Sequence, residues 1–442
     1  MAAMFNPFSP RQSRIGFHYF PDTLHYRDSD LQTWLLELTS LGASWLVVHS
    51  AAERAIPEFF LRALLQTGIE PLVQFDLNPA NPPAPGDLAT LFEAYARWGV
   101  HGVQLFDRPN VRTAWLSSGW AQQELVERFL DGILPASNAA LQAGLTPIFP
   151  ALEPGGDYWD TAFLRAALES LMRRKQTGLL ESLVLSAYGW TNDHALDWGA
   201  GGPARWPAAR AYSNPPGSQD QRGFCIFEWY QAIVQKVLGI QAPILLLQAG
   251  NPGSPISCQP LPPPAHARQS HQIASLLAGK SAAAESQPTL TPIPPYVLAA
   301  NFWLLAADPQ DPAARWAWFQ DSGAYTASIE ALKQQASAAR EAAGTAAKVF
   351  DPNHPIDHYL LVPTYDWGIA DYHLDIIRPF IKRYRPVLGF SLAEARLARE
   401  VTVVGNLHSF SEDQLDELRH LGCKVRRING DGISIATQLS ER

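Results

Sequence analysis

The sequence predicts an α/β protein: a (β/α)8 barrel over about residues 12–325, then a small α/β domain from about residue 350. Two observations carry this. Eight strand-sized apolar runs alternate with amphipathic stretches through the first three hundred residues, the rhythm of repeated βα units. The first run ends in His18-Tyr19-Phe20-Pro21, without the glycine-rich turn that a doubly wound open sheet usually places after its first strand. A length of 442 residues suits one large barrel with an appendage.

The elements follow in order. Arg14–Phe20 reads as a strand, and Ser29–Leu41 as a helix with Trp34, Leu35, Leu38 and Leu41 at helical spacing. Ser44–His49 is the second strand; Pro57–Thr67 is a helix opened by proline in its first turn. Glu70–Asp76 is a strand, and Pro85–Trp98 contains a helix that stops near Gly99. Gly102–Asp107 is the fourth strand, followed by a long helix over Gln122–Ala143. Thr146–Leu152 and Ser182–Tyr188 are the fifth and sixth strands, with a helix over Thr161–Thr177 between them. Gly223–Leu238 is helical, Ala242–Ala249 the seventh strand and Tyr296–Leu305 the eighth. Long insertions follow strands six (189–223) and seven (249–295), the second with a helix near Ala265–Leu277. Thr326–Ala347 is an alanine-rich outer helix leading into a linker that ends near residue 349. Beyond it, Val401–Val404, a helix over Ser411–Leu421 capped by Ser411, and Lys424–Ile428 form a small βαβ unit.

Composition narrows the function. Apolar residues make up 47% and charged residues 17%, which excludes general disorder. With 34 basic against 42 acidic residues and a net charge of -8, no basic surplus supports nucleic acid or an anionic membrane as the main partner. Three cysteines, Cys225, Cys258 and Cys423, lie far apart and form no CxxC. No run approaches the ~20 apolar residues of a membrane-spanning helix. The first residues show no charged segment followed by an apolar one, so no secretory leader is read in them. Fourteen tryptophans suit core packing or, where exposed, stacking on sugar rings.

Catalytic and binding groups in such barrels sit at the carboxyl ends of the strands. Those ends carry His18 and Tyr19, His49, Asp76, Asp107 and Asn110, Glu153, Tyr188 with Trp190 and Asn192, Gln248 with Asn251, and Trp303. The set is polar and aromatic, with few of the bases a phosphate site would need. Amides and acids match hydroxyls, and aromatics match the apolar faces of sugar rings.

At LFDRPN on the fourth strand, SAYGW on the sixth and NFW on the eighth, the chain resembles the retaining glycoside hydrolases of the (β/α)8 superfamily called clan A, over about Arg14–Gln320. That family carries Asn-Glu-Pro at the end of strand four, whose glutamate is the acid/base, and a nucleophilic glutamate at the end of strand seven. Here Arg108 and Gln248 stand at those places. A retaining hydrolase needs two carboxyl groups ~5–5.5 Å apart, an arginine does not give up its proton, and an amide neither attacks well nor offsets positive charge. The resemblance therefore implies a saccharide-recognising barrel without the retaining pair. The alternative is an inverting glycosidase using Asp107 and Glu153 with Asp76 as helper, since such pairs tolerate ~6.5–9.5 Å. A third reading is a structural surface protein.

VTVVG at 401–405, SEDQLDEL at 411–418 and LGCKVRRINGD at 421–431 resemble the type 2 cell-wall-binding repeat of Gram-positive surface proteins. That family normally packs three tandem copies; one is seen here. Both resemblances imply an extracellular or cell-surface address and a polysaccharide or wall polymer as partner. His358, Asp371, His373 and Asp375 are ligand types whose spacing matches no zinc or calcium pattern, so neither a metal nor a cofactor is expected.

Overall fold

Each of the eight apolar runs forms a strand, and each strand pairs in parallel with the next. They are β1 (Ile15–His18), β2 (Trp45–Ser50), β3 (Glu70–Leu77), β4 (Gly102–Phe106), β5 (Thr146–Phe149), β6 (Val184–Trp190), β7 (Ile244–Gly250) and β8 (Val297–Phe302). β8 returns to pair with β1, through Ile15 against Ala300 and Gly16 against Asn301, and closes the barrel. This computed structural model describes residue 8 and residues 11–115, 117–251, 259–281, 290–346, 354, 356–364, 376–381, 386–406, 409–430 and 432–440.

The strands are buried on both faces, which is why they read as unbroken apolar runs rather than as alternation. Inward side chains, among them Trp45, Val47, Leu72, Tyr188, Leu245 and Leu247, make one core inside the barrel. Outward ones, such as Phe17, Val48, Phe75, Leu105 and Leu246, make a second core under the helices. Successive residues therefore belong to different cores.

The helices differ little from expectation. Asp28–Ser40, Glu58–Gln66, Pro85–Trp98, Leu125–Gln142, Asp160–Arg173, Ile226–Leu238 and Pro263–Leu277 follow the strands in turn. Gly99 closes the third of these in the left-handed conformation, φ 94°, which its missing Cβ permits. The larger difference lies at β5. It ends at Phe149 rather than Leu152, so Glu153 belongs to the loop beyond the strand.

The chain divides into two compact units, Met1–Ala339 and Arg340–Arg442. That division falls within the helix Thr326–Ala346. In the second unit, β9 (Ile356–Leu361), β10 (Val387–Gly389), β11 (Ala398–Val404) and β12 (Lys424–Ile428) form a parallel sheet in the order β10-β9-β11-β12. The helix Glu412–His420 links β11 to β12; the Ser411 hydroxyl accepts from the Gln414 amide at 3.3 Å and caps it. Leu415 and Leu418 pack on Tyr359 and Val403 on one face, and Ile435 and Leu439 on Leu360 and Val404 on the other.

Cys225 and Cys423 are buried free thiols, and Cys258 lies outside the described residues. Of the residues considered for metal ligation, Asp371, His373 and Asp375 also lie outside them. His358 instead faces the Thr402 hydroxyl at 2.9 Å. Among the described residues, no helix is long and apolar enough to cross a membrane.

Candidate functional site

At the carboxyl ends of the strands the barrel opens into a hollow of about 450 Å³. β1 brings His18 to it, β2 His49, β3 Gln74 and Asp76, the β4 end Asp107 and Arg108, β6 Tyr188, β7 Gln248 and the β8 end Trp303. Arg108 and Gln248 thus line one cavity.

The centre of the polar network is Arg108. It holds a left-handed backbone, φ 44°, unusual for a residue with a side chain. Its Nε donates to Asp107 at 2.7 Å, and Nη1 reaches Glu153 at 3.4 Å. The ring of Tyr188 lies 5.8 Å from the guanidinium carbon, and the Tyr188 hydroxyl donates to the other Asp107 oxygen at 2.5 Å. Burial works to discharge Arg108, but the charge and hydrogen bond of Asp107, with Glu153 behind it, outweigh burial and raise its pKa. Burial, reinforced by the charge of Asp107, pushes the Tyr188 phenol well up, so it remains a proton donor.

A second pair stands beside it. His49 Nδ1 lies 3.2 Å from an Asp76 oxygen. Burial pulls the Asp76 carboxyl up, but the hydrogen bond and charge of His49, with His18 and Arg108 behind, hold it below the usual carboxylate range. His18 donates from Nε2 to the Leu247 carbonyl at 2.8 Å. Burial, then the charge of His49, drives its pKa to about 3. Its ring meets Trp303 edge-on at 4.8 Å.

Several expected binding residues are placed elsewhere, each for a physical reason. Tyr19 follows His18 by one residue and so faces the opposite side of the strand, where it packs on Tyr26 and Phe60 in the outer core. Trp190 is buried and stacked on Tyr188, centroids 4.3 Å apart, with its indole N–H donating to Gln248 at 2.9 Å. It supports the wall rather than forming a platform. Asn110 is fully buried; its amide donates to the carbonyls of Glu153 and Tyr158, and its oxygen accepts from the Glu153 amide at 2.8 Å. It staples the loops after β4 and β5. Asn192 and Asp193 form a turn with φ of 47° and 62°, which asparagine and aspartate tolerate. Asn251 accepts from the Leu261 amide at 3.0 Å. Glu153 stands behind Arg108, off the lining.

Gln74 also lines the hollow, a residue the strand ends alone do not mark. Leu72, Gln74 and Asp76 alternate along β3, so any reading that places Asp76 inward places Gln74 inward too.

Fold and site together define an eight-stranded parallel barrel with a polar, partly aromatic hollow at its carboxyl end. No protein-family model and no curated protein matches the chain. Among solved structures, it is similar to a family 39 glycoside hydrolase from Bacteroides cellulosilyticus, at 12% identity over 74% of this chain and 64% of that chain, with a TM-score of 0.45. A glucosidase from Croceicoccus marinus matches at 14% identity over 76% of this chain and 68% of that one, TM-score 0.46. Saccharomyces cerevisiae Gas2p, solved with laminaritriose and laminaritetraose, matches at 11% over 75% and 67%, TM-score 0.41. The chain therefore spans less than two thirds of the family 39 enzyme's length.

Proposed function

We propose that the barrel recognises a saccharide in this hollow without hydrolysing it. The observation that carries the reading is the placement of Arg108, whose guanidinium reaches both Asp107 and Glu153, with Gln248 on the same lining. Glycoside hydrolysis needs one carboxyl group that delivers a proton and a second that attacks or activates water. A carboxylate engaged by a guanidinium has no proton to deliver. The guanidinium has none to give either, and a glutamine amide supplies no negative charge. Polar groups around a half-buried Trp303 remain suited to binding a ring with hydroxyls on its edge and C–H bonds on its face. A wall-polymer role for the second unit, and an extracellular address, rest on the sequence resemblance.

Aryl glycosides and natural polysaccharides should show no turnover, while a glycan array should show binding. Trp303→Ala should weaken that binding about tenfold or more, the loss of roughly 1.4 kcal/mol of ring contact. Turnover abolished by Asp107→Asn would overturn the reading in favour of an inverting glycosidase built on Asp107, Glu153 and Asp76. Neither turnover nor binding would leave a structural role.

A further inference from the structure

Several hydrogen-bond donors around the hollow are engaged within the protein, while buried acceptors are left over. The Tyr188 hydroxyl is taken by Asp107, the Trp190 indole by Gln248, and Arg108 Nε by Asp107, with Nη1 turned to Glu153. The acceptors are different. His18 Nε2 faces the Leu247 carbonyl at 2.8 Å, an atom that only accepts, so the ring proton sits on Nε2 and Nδ1 is a bare lone pair. With its pKa near 3, the ring keeps that lone pair at neutral pH. His49 directs Nδ1 at the Asp76 carboxylate, which leaves Nε2 on the far side of the ring. Among the described residues, His18 Nδ1, His49 Nε2 and Gln74 Oε1 are all buried without a partner. All three residues line the hollow and are more than nine-tenths buried, at 1%, 7% and 4% exposure.

Charge points the same way. Asp76 and Asp107 on the lining outnumber Arg108, and Glu153 stands behind it. Asp107 is neutralised locally by Arg108. Asp76 is not: its side chain is 65% exposed and has the His49 ring on one oxygen only. A phosphate or an acidic sugar would bring acceptors to acceptors and negative charge to negative charge. A neutral sugar hydroxyl brings one donor. An ammonium brings three donors and the compensating charge.

The geometry points to an amino sugar with a free amine as the ligand, its ammonium beside Asp76, its donors on His18 and Gln74, and its ring over Trp303. This rests on the saccharide reading above and narrows it to a substrate class. Trp303 favours the same ligand, since an aromatic face attracts cations as well as C–H bonds.

Three trisaccharides with one β-1,4 backbone test it: the glucosamine trimer, its N-acetylated form and the cellulose trimer, titrated calorimetrically into the full chain at neutral pH. The glucosamine trimer should bind at least tenfold tighter than the other two. Asp76→Asn, a change at a mostly exposed side chain, should remove most of that preference by weakening the glucosamine trimer. Equal binding of the three, or preference for the acetylated or hydroxyl form, overturns the amine assignment while saccharide recognition stands. No binding of any trimer overturns the assignment too, and the glycan array then decides whether saccharide recognition survives. Spermidine should not compete; displacement of the trimer by spermidine would show that charge alone is read and would overturn the assignment as well.

Discussion

Asp160 shows how much of this barrel's upper end depends on one buried acid. It is fully buried, and its carboxylate accepts from the Gly155 amide at 2.9 Å, the Gln221 amide group at 2.7 Å and the Tyr230 hydroxyl at 3.1 Å. These bonds tie the loop after β5 to the loop after β6 and to the helix Ile226–Leu238. Burial outweighs them and pushes the carboxyl up to about 6. The folded state therefore binds this proton more tightly than the unfolded chain does. The contribution to stability is full below the unfolded pKa, near 4, and is lost as pH rises through about 6. A shift of about two units corresponds to roughly 3 kcal/mol. Asp160→Asn keeps an acceptor and cannot ionise. Relative to wild type it should gain roughly 3 kcal/mol between pH 4 and pH 7 in denaturant titrations. A difference that stays flat with pH would refute the ionisation argument. Read from the sequence alone, Asp160 is only an acid at a helix start, because nothing local shows that a glutamine sixty residues on will meet it.

At the scale of elements, the seam between β1 and β8 decides whether the barrel closes. Gly16 pairs with Asn301 across it. Asn301 is fully buried and donates from its amide to the Leu246 carbonyl at 2.9 Å, bridging to β7. A Cβ on Gly16 would overlap the Asn301 side-chain oxygen and come within 2.8 Å of Trp45 Cβ. The glycine is required by close approach, not by its backbone angle. Gly16→Ala should cost about 1–3 kcal/mol, as overpacking does, read as a lowered thermal midpoint. Asn301→Ala in the same chain should make the alanine less costly than it is alone, giving a coupling in a double-mutant cycle. Additive effects would mean that the two side chains do not compete for one space. The strands themselves were legible, because runs buried on both faces are apolar throughout. Which face each residue takes was harder to read for the same reason: an unbroken run carries no alternation to follow. Tyr19 therefore reads like its neighbour His18, and no alternation in the run marks Gln74 as sharing a face with Asp76.

Across the whole barrel the two ends are finished differently. The carboxyl end is left open as the hollow. At the amino end Phe8 enters the inner core: it is 4% exposed, meets Trp45 edge-on at 5.2 Å, and would lie 2.9 Å from a Cβ placed on Gly102. Phe8→Ala should cost about 3–5 kcal/mol, as loss of a buried phenylalanine does, measured by denaturant unfolding. Saccharide affinity should be unchanged, since the hollow lies at the other end. Equal losses at both ends would mean that the plug also positions the site.

Order along the chain, the count of strands and the absence of a phosphate turn were all present in the sequence. They depend on local periodicity and residue type, which one dimension records. Only the tertiary structure decided that Arg108 bridges two acids, that Asn110 and Trp190 hold walls rather than line them, and that buried acceptors on His18 and Gln74 are left without a partner. Those facts depend on which groups from distant segments meet, and hydrogen-bond partners eighty residues apart leave no mark on the chain until it closes.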